Sequence, residues 1–172
     1  NKKLKEIIQK FYLHISETMR NDLRKTDEFI KFVKLLITCQ VSEQKILVNE
    51  WFEQNNEVKI PWNPKSICIN IDVDNIKILH SQSRPHVVPL LLKNGSTLNI
   101  LVKTEDLRKD KLTMYISKWI GIICHDVVKM KTYNVLTYDV DYGWIEMIPN
   151  VKTLYDLNYG DNLTLTNYLM DN

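Results

Sequence analysis

The sequence predicts an α+β domain: a helical amino-terminal segment, then an antiparallel sheet packed with one long helix. Three observations carry that prediction. No Pro or Gly occurs before Pro61, and apolar residues recur there at spacings of three and four. From Ser66 to Lys103 the apolar period falls to two. From about Leu107 the period of 3.6 returns.

Taken in order, Leu4, Ile8, Phe11, Ile15 and Met19 mark a first helix, and Arg24 to Asp27 reads as a break. Phe29, Ile30, Val33, Leu36 and Ile37 mark a second helix. Ser42 to Gln54 makes a third, with Ser42 as its predicted N-cap, because a seryl oxygen can accept an orphan backbone N–H. Pro61, Trp62, Asn63 and Pro64 form a connector, since proline forbids continued helix. Strands follow over Ser66–Ile71 and Asn75–Leu79, separated by the acidic turn Asp72-Val73-Asp74. Val87–Leu92 and Leu98–Lys103 flank Lys93-Asn94-Gly95-Ser96, and Asn-Gly between apolar runs predicts a hairpin. Pro89 inside the first of these runs predicts an edge or bulged strand. Leu112, Ile116, Trp119, Ile120, Ile123 and Val127 lie on one face of the long helix. Lys131–Tyr138 and Trp144–Ile148 read as two more strands, with a turn over Asp139–Gly143 and Pro149 as terminator. Thr153–Leu157 and Leu163–Met170 read as short helices.

Composition removes several classes of function. Of 172 residues, 44% are hydrophobic and 26% charged, which excludes a disordered chain. A net charge of +2 leaves no basic surplus for nucleic-acid backbone, so no direct nucleic-acid contact is expected. No apolar run reaches the roughly 20 residues of a membrane span. Cys39, Cys68 and Cys124 show neither disulfide nor zinc spacing, and a cytoplasmic or nuclear location fits them. The four glycines are far apart, which excludes a Walker loop, a Rossmann fingerprint and a protein-kinase glycine-rich loop. The start Asn1-Lys2-Lys3 has no signal-peptide core and no initiator Met, as expected of a piece of a longer chain.

One cluster carries chemistry. Lys103 ends a strand, and Glu105, Asp106 and Asp110 follow where the long helix opens. A strand-borne lysine held by carboxylates is a phosphate-binding arrangement. Acids in a first helical turn also answer to the helix dipole alone. Asp72 with Asp74 and Asp139 with Asp141 read as turn acids. Cys124 and His125 are adjacent, so they point about 100° apart on a helix and do not make a catalytic pair.

The order of residues around the cluster resembles the catalytic domain of the phosphatidylinositol 3-kinase-related protein kinases and, more distantly, that of the phosphoinositide lipid kinases. The matching residues are Ile60-Pro61, Ser81-Gln82-Ser83-Arg84-Pro85, Asn94-Gly95, Leu101-Val102-Lys103 and Glu105-Asp106-Leu107-Arg108-Lys109-Asp110. Tyr133-Asn134-Val135, Gly143-Trp144-Ile145-Glu146-Met147-Ile148-Pro149 and Thr153-Leu154 continue the match, which covers about Val58 to Tyr155. The resemblance implies a kinase amino-terminal lobe over residues 56–150, preceded by helices (1–55) that end a FAT- or FRB-like regulatory region. Residues 151–172 would begin the second lobe.

The resemblance also implies roles. Lys103 would contact ATP phosphates, oriented by Glu105 or Asp106 and by Asp110 from the long helix. Ser81, Gln82 and Ser83 would line the phosphate-covering loop. Tyr133 would lie in an inner pocket, Ile145 would be the gatekeeper, and Met147 and Ile148 would offer hinge backbone to adenine. Departures accompany the match. Lys103-Thr104-Glu105 is one residue shorter than the family's Lys-Gly-x-Glu, so either the loop is tighter or Asp106 replaces Glu105 as the facing acid. Trp62 and Met147 stand where the family has glycine and tryptophan. Neither D-R-H-x-x-N nor D-F-G occurs, so catalytic and Mg or Mn ligands are expected in the missing remainder of the second lobe.

The expected function is the ATP-binding lobe of a serine/threonine protein kinase, nearest the mTOR-like branch. Its protein substrate would be met through the second lobe, and regulatory protein subunits are expected partners. A lipid-kinase lobe is the alternative. If 172 residues were the complete product, a non-catalytic pseudokinase-like binding module is expected instead.

Overall fold

The computed structural model describes residues 2–127, 129–149 and 151. The expected helices within 153–170, the matched Thr153-Leu154 pair and the expected start of a second lobe lie outside the described residues. Three helices come first: α1 (Lys2–His14), α2 (Glu17–Leu36) and α3 (Val41–Asn55). Strands β1 (Val58–Ile60), β2 (Asn63–Ile71), β3 (Lys77–Ile78), β4 (His86–Leu92) and β5 (Thr97–Lys103) follow. Helix α4 (Arg108–Ile123) then leads to β6 (Val135–Asp139) and β7 (Tyr142–Glu146). The strands form one antiparallel sheet in the order β1-β2-β4-β5-β7-β6, with β3 continuing the β2 side of β4. The architecture is α+β.

The first helical boundary differs from the periodicity reading. The helix breaks at Ile15-Ser16, not at Arg24–Asp27, because the Ser16 hydroxyl accepts the Met19 N–H at 3.2 Å and caps α2. The polar run Arg24–Asp27 lies inside a continuous helix, exposed at Arg24 and half-buried from Lys25 to Asp27, and is stitched by Arg24–Glu28 and Asp27–Lys31 pairs four residues apart. Ser42 is likewise not the cap of α3. Gln40 occupies that position, and the buried Gln44 amide instead donates to the Leu36 carbonyl at 3.1 Å, satisfying the end of α2.

Alternation in the strands gives the sheet two unlike faces. Val88, Leu90, Ile100, Val102, Tyr142 and Trp144 are fully buried on one face, under Phe29, Val33 and Leu36 of α2 and Val48 and Phe52 of α3. Trp144 is the centre of this layer. Its ring meets Phe29 edge-on at 5.9 Å and Trp62 at 6.4 Å, and its indole N–H donates to the Tyr142 hydroxyl at 2.8 Å. Two polar ties lock α2 across the sheet. Lys59 of β1 meets Asp22 at 2.6 Å, and the Tyr138 hydroxyl of β6 donates to Asp27 at 2.7 Å.

Pro89 corrects a second expectation. β4 is an interior strand, paired with β5 along its length. Pro89 is tolerated because β2 covers Leu90–Leu92 and β3 covers His86–Val87, leaving Pro89 opposite the gap between them. There its carbonyl accepts the Asp72 N–H at 3.0 Å, so the missing proline N–H interrupts no ladder. The hairpin over Asn94-Gly95 is present, with Gly95 at φ +82°. The strand expected over Lys131–Tyr138 shortens to β6, and residues 129–134 approach it without ladder pairing.

Helix α4 departs from its predicted packing. No residue of α4 is buried, and Leu112, Ile116, Trp119 and Ile123 are more than half exposed. The apolar face read from the sequence is therefore not the face that meets the sheet. Besides the contact of α4 with β6, the approach to the sheet is made by Leu107, just ahead of the helix, which is 1% exposed and sits over Gly143.

That contact generates a prediction. A methyl on Gly143 would lie 2.2 Å from the Leu136 carbonyl oxygen and 2.8 Å from Leu107 Cδ1. Gly143→Ala is expected to cost about 1–3 kcal/mol of unfolding free energy by overpacking. Chemical denaturation checks it, and an unchanged midpoint contradicts the packing described.

Candidate functional site

The sheet's second face holds the predicted cluster. Leu101 and Lys103 point away from the core by alternation, while Ile100 and Val102 point into it. The register sets Leu101 opposite Ile145 and Lys103 opposite Gly143. Because Gly143 has no side chain, the Lys103 stem and the Leu107 side chain share that end of the sheet. The Lys103 side chain is only 18% exposed and makes an ion pair with Glu105. Burial of an ammonium at this level demands such a partner.

Which acid faces Lys103 is thereby decided in geometry. Glu105 does so from the loop before α4, not from the helix itself. Asp106 turns the other way. It accepts the Arg108 backbone N–H at 3.0 Å and the Arg108 guanidinium through both oxygens, at 2.9 and 2.7 Å. These bonds hold its carboxyl down at about 2. Asp110 stands in the first turn of α4 and makes no ion pair with Lys103 among the described residues.

The β3–β4 loop overhangs Lys103. β3 and β4 place residues 79–85 at the end of the sheet where β5 finishes, since His86 lies opposite Val102. The loop is shaped by its own backbone bonds: Leu79 N–H to Pro85 O, Ser81 N–H to Leu79 O and Arg84 N–H to Ser81 O, at 2.9–3.0 Å. Arg84 closes it at φ +42°, a left-handed conformation costly for a non-glycine residue. Ser81, Gln82 and Ser83 join Leu101, Lys103 and Glu105 around a cleft of about 700 Å³. Among the described residues, the backbone N–H groups of Gln82 and Ser83 and the hydroxyls of Ser81 and Ser83 make no hydrogen bond. The cleft therefore combines one held ammonium with unspent donors, a set suited to phosphate oxygens. Burial and, to a lesser degree, the Arg84 charge lower the pKa of His86, which follows the loop.

The other predicted residues are arranged along β7. Ile145 is 9% exposed, on the cleft side of the sheet between Leu101 and Val135. Met147 donates its N–H to the Asn99 carbonyl at 3.0 Å. The Ile148 N–H makes no backbone bond among the described residues. Tyr133 does not join the Lys103 cleft. It lines a separate hollow of about 110 Å³ against Lys111 and Tyr115 of α4.

Three contributors were missed by the reading of residue types. Leu107 and Gly143 anchor the short loop that carries Glu105. Glu146 clasps Asn134: its carboxylate accepts the Asn134 N–H at 3.1 Å and side-chain amide at 2.5 Å, and its own N–H donates to the Asn134 carbonyl at 2.9 Å. The clasp fixes the strand end beside Met147 and Ile148. Its only sequence signal is an Asn and a Glu on strands predicted to pair.

Comparison with known proteins gives three relevant similarities. The chain is 23% identical over 175 residues to phosphatidylinositol 3-kinase VPS34 of Candida glabrata, covering 90% of this chain and 19% of that protein. It is 27% identical over 97 residues to serine/threonine-protein kinase MEC1 of Eremothecium gossypii, covering 52% of this chain and 4% of that protein. A MEC1 of Kluyveromyces lactis is 28% identical over 102 residues, with 54% and 4% covered. No family model matches the chain. The chain thus spans about a fifth of the length of the lipid kinase and a small part of the two protein kinases. These similarities support a relationship with the phosphatidylinositol 3-/4-kinase superfamily. Among the described residues no helix is long and apolar enough to cross a membrane.

The division between the two acids is testable by carboxyl titration in NMR spectra. Asp106 is expected to titrate at about 2. Its folded pKa lies below the ordinary value, so its stabilising contribution is present above about pH 4 and is lost as pH falls toward 2. A midpoint near 3.8 would contradict the Arg108 pairing.

Proposed function

We propose that this chain is the upper, nucleotide-holding half of an ATP cleft in a kinase of this superfamily. The observation that carries the reading is the convergence of Lys103, Glu105 and the 81–83 loop on one cleft at the end of the sheet. Lys103 would hold phosphate oxygens by charge-assisted hydrogen bonds, with Glu105 keeping the ammonium aimed and partly neutralised. Ser81 and Ser83 hydroxyls and the Gln82 and Ser83 amides would complete the cradle. Ile145 and Leu101 supply an apolar wall, and the Ile148 N–H is the free backbone donor for a purine edge. Bound ATP would supply the phosphoryl group, accompanied by Mg or Mn. In this reading the metal carboxylates and the catalytic base would belong to the second lobe of the full-length parent.

Two readings of the acceptor follow. A serine/threonine protein acceptor is supported by Ser83-Arg84-Pro85 and Glu105-Asp106-Leu107-Arg108 and by the similarity to the two MEC1 kinases. A phosphoinositide acceptor is favoured by one specific observation. The similarity to VPS34 covers 90% of this chain, so it necessarily extends into the amino-terminal helices, whereas the MEC1 similarities cover about half.

The experiment is phosphoryl transfer by the full-length parent, assayed on phosphatidylinositol vesicles and on Ser/Thr peptides side by side. Lys103→Ala is expected to lower transfer at least about 100-fold, in keeping with removal of a charge-stabilising group, with the melting temperature within a few degrees of wild type. Normal activity in that variant removes Lys103 from its role. Ile145→Asp is expected to weaken both folding and nucleotide affinity, because it forces a charge into an apolar position. An unchanged melting temperature contradicts the burial of Ile145.

A further inference from the structure

The side of α4 that faces the rest of the domain carries two lysines. After Ile123 the chain turns and runs back along the helix: a methyl on Gly121 would lie 3.2 Å from Met130 Cβ, and α4 contacts β6. Lys111, Met114, Tyr115 and Lys118 form one wall of the hollow of about 110 Å³, and residues 132–135 form the other. With Gly121, these helix positions follow the spacing i, i+3, i+4, i+7, i+10, which is a single side of a helix. A helix side turned toward protein is ordinarily apolar. The apolar side of α4 is instead the wet one, with Trp119 64% exposed.

The charge on this wall is uncompensated. Lys111 is half-buried and Lys118 exposed, and among the described residues neither makes an ion pair. Glu146, the acid near the facing wall, is bound to the Asn134 N–H and side-chain amide. Asp110 precedes Lys111 and so lies about 100° round the helix from it. On the facing wall, the Thr132 and Tyr133 hydroxyls make no hydrogen bond among the described residues. Two cations and two unspent hydroxyls thus border one small space.

We propose that this hollow is a second anion site, which takes a single phosphate group between Lys111 and Lys118. The lysines stand about 10 Å apart along the helix axis, and each ammonium has a flexible four-carbon stem with which to reach an anion held between them. A space of about 110 Å³ has roughly the volume of three or four liquid waters. That admits one phosphate group and excludes a nucleoside, so the remainder of a larger phosphomonoester stays in solvent. Charge-assisted bonds from both ammonium groups, completed by the Thr132 and Tyr133 hydroxyls, hold the oxygens. The inference rests on the hollow alone and does not depend on the kinase reading.

Lysine acetylation of the full-length parent, read residue by residue in mass spectra, tests it. Inorganic phosphate is compared with sodium chloride of equal ionic strength. Phosphate is expected to slow labelling of both Lys111 and Lys118 at least about threefold, the reduction that two-thirds occupancy gives, and to leave Lys109 on the same helix unchanged. Equal labelling in the two salts overturns the proposal, as does slowing shared by Lys109. Lys118→Gln is expected to release Lys111 from protection, and Lys118→Arg to retain it; protection of Lys111 that survives Lys118→Gln contradicts a site built from two lysines. Lys103→Ala is expected to leave the protection intact, whereas its loss there assigns the phosphate to the Lys103 cleft and overturns a second site. Glycerol 3-phosphate is expected to protect both lysines as inorganic phosphate does. Protection by the ester with none by inorganic phosphate contradicts recognition of the phosphate group itself.

Discussion

A lysine side chain that keeps less than a fifth of its surface in water needs its charge neutralised where it sits, and that requirement organises this end of the molecule. Lys103 is placed by strand alternation on the face opposite the core, at the last residue of β5. Its carboxylate comes from Glu105, two residues on, in a loop too short to wander. The loop is held in turn by Leu107, which is almost fully buried and seats where Gly143 offers no side chain. A chain of contacts thus runs from a glycine on β7 through a leucine to an acid and then to the lysine. Helix α4 plays a smaller part in this than a strand-lysine and helix-acid arrangement implies, since Asp106 is bound to Arg108 and Asp110 is not paired with Lys103.

The same sheet keeps chemistry and stability apart. Trp144, Tyr142, Val102 and Ile100 hold the buried face against α2 and α3, while Leu101 and Lys103, interleaved with them in sequence, line the cleft and Ile145 lies on the same side of the sheet. One substitution of odd for even position would move a residue from one task to the other. The continuity of β4 through Pro89 matters here, because β4 carries the overhanging loop at one end and pairs with β5 throughout. The detour between β2 and β3 lets a proline occupy an interior strand without loss of a ladder bond.

Much of this was legible in the residues. Period two located β2, β4 and β5, and Asn94-Gly95 located their hairpin. The Lys103 cluster stood out because charged residues at a strand end followed by a helix are few. What the periodicity hid was the competition at particular positions. Ser16 ended a helix whose apolar spacing continued past it, and the charged run at Arg24–Asp27 looked like a break because salt-linked helix and loop have the same composition. The face of α4 was misjudged for a different reason. Leu112, Ile116, Trp119 and Ile123 form an apolar stripe by spacing, but spacing does not say which side of the helix meets the sheet. The choice between Glu105 and Asp106 was also closed to the sequence, because it depends on Arg108 reaching back to one of them.

Similarity to a lipid kinase and to two protein kinases, each much longer than this chain, supports a relationship with the phosphatidylinositol 3-/4-kinase superfamily. The central claim is that Lys103 meets nucleotide phosphate in its cleft. Its most direct measurement is acylation of Lys103 by an ATP acyl-phosphate probe, read by mass spectrometry of the full-length parent with and without competing ATP. The account predicts selective labelling of Lys103 that ATP suppresses in a saturable way. Labelling no greater than at the exposed lysines of α1, or labelling indifferent to ATP, contradicts it.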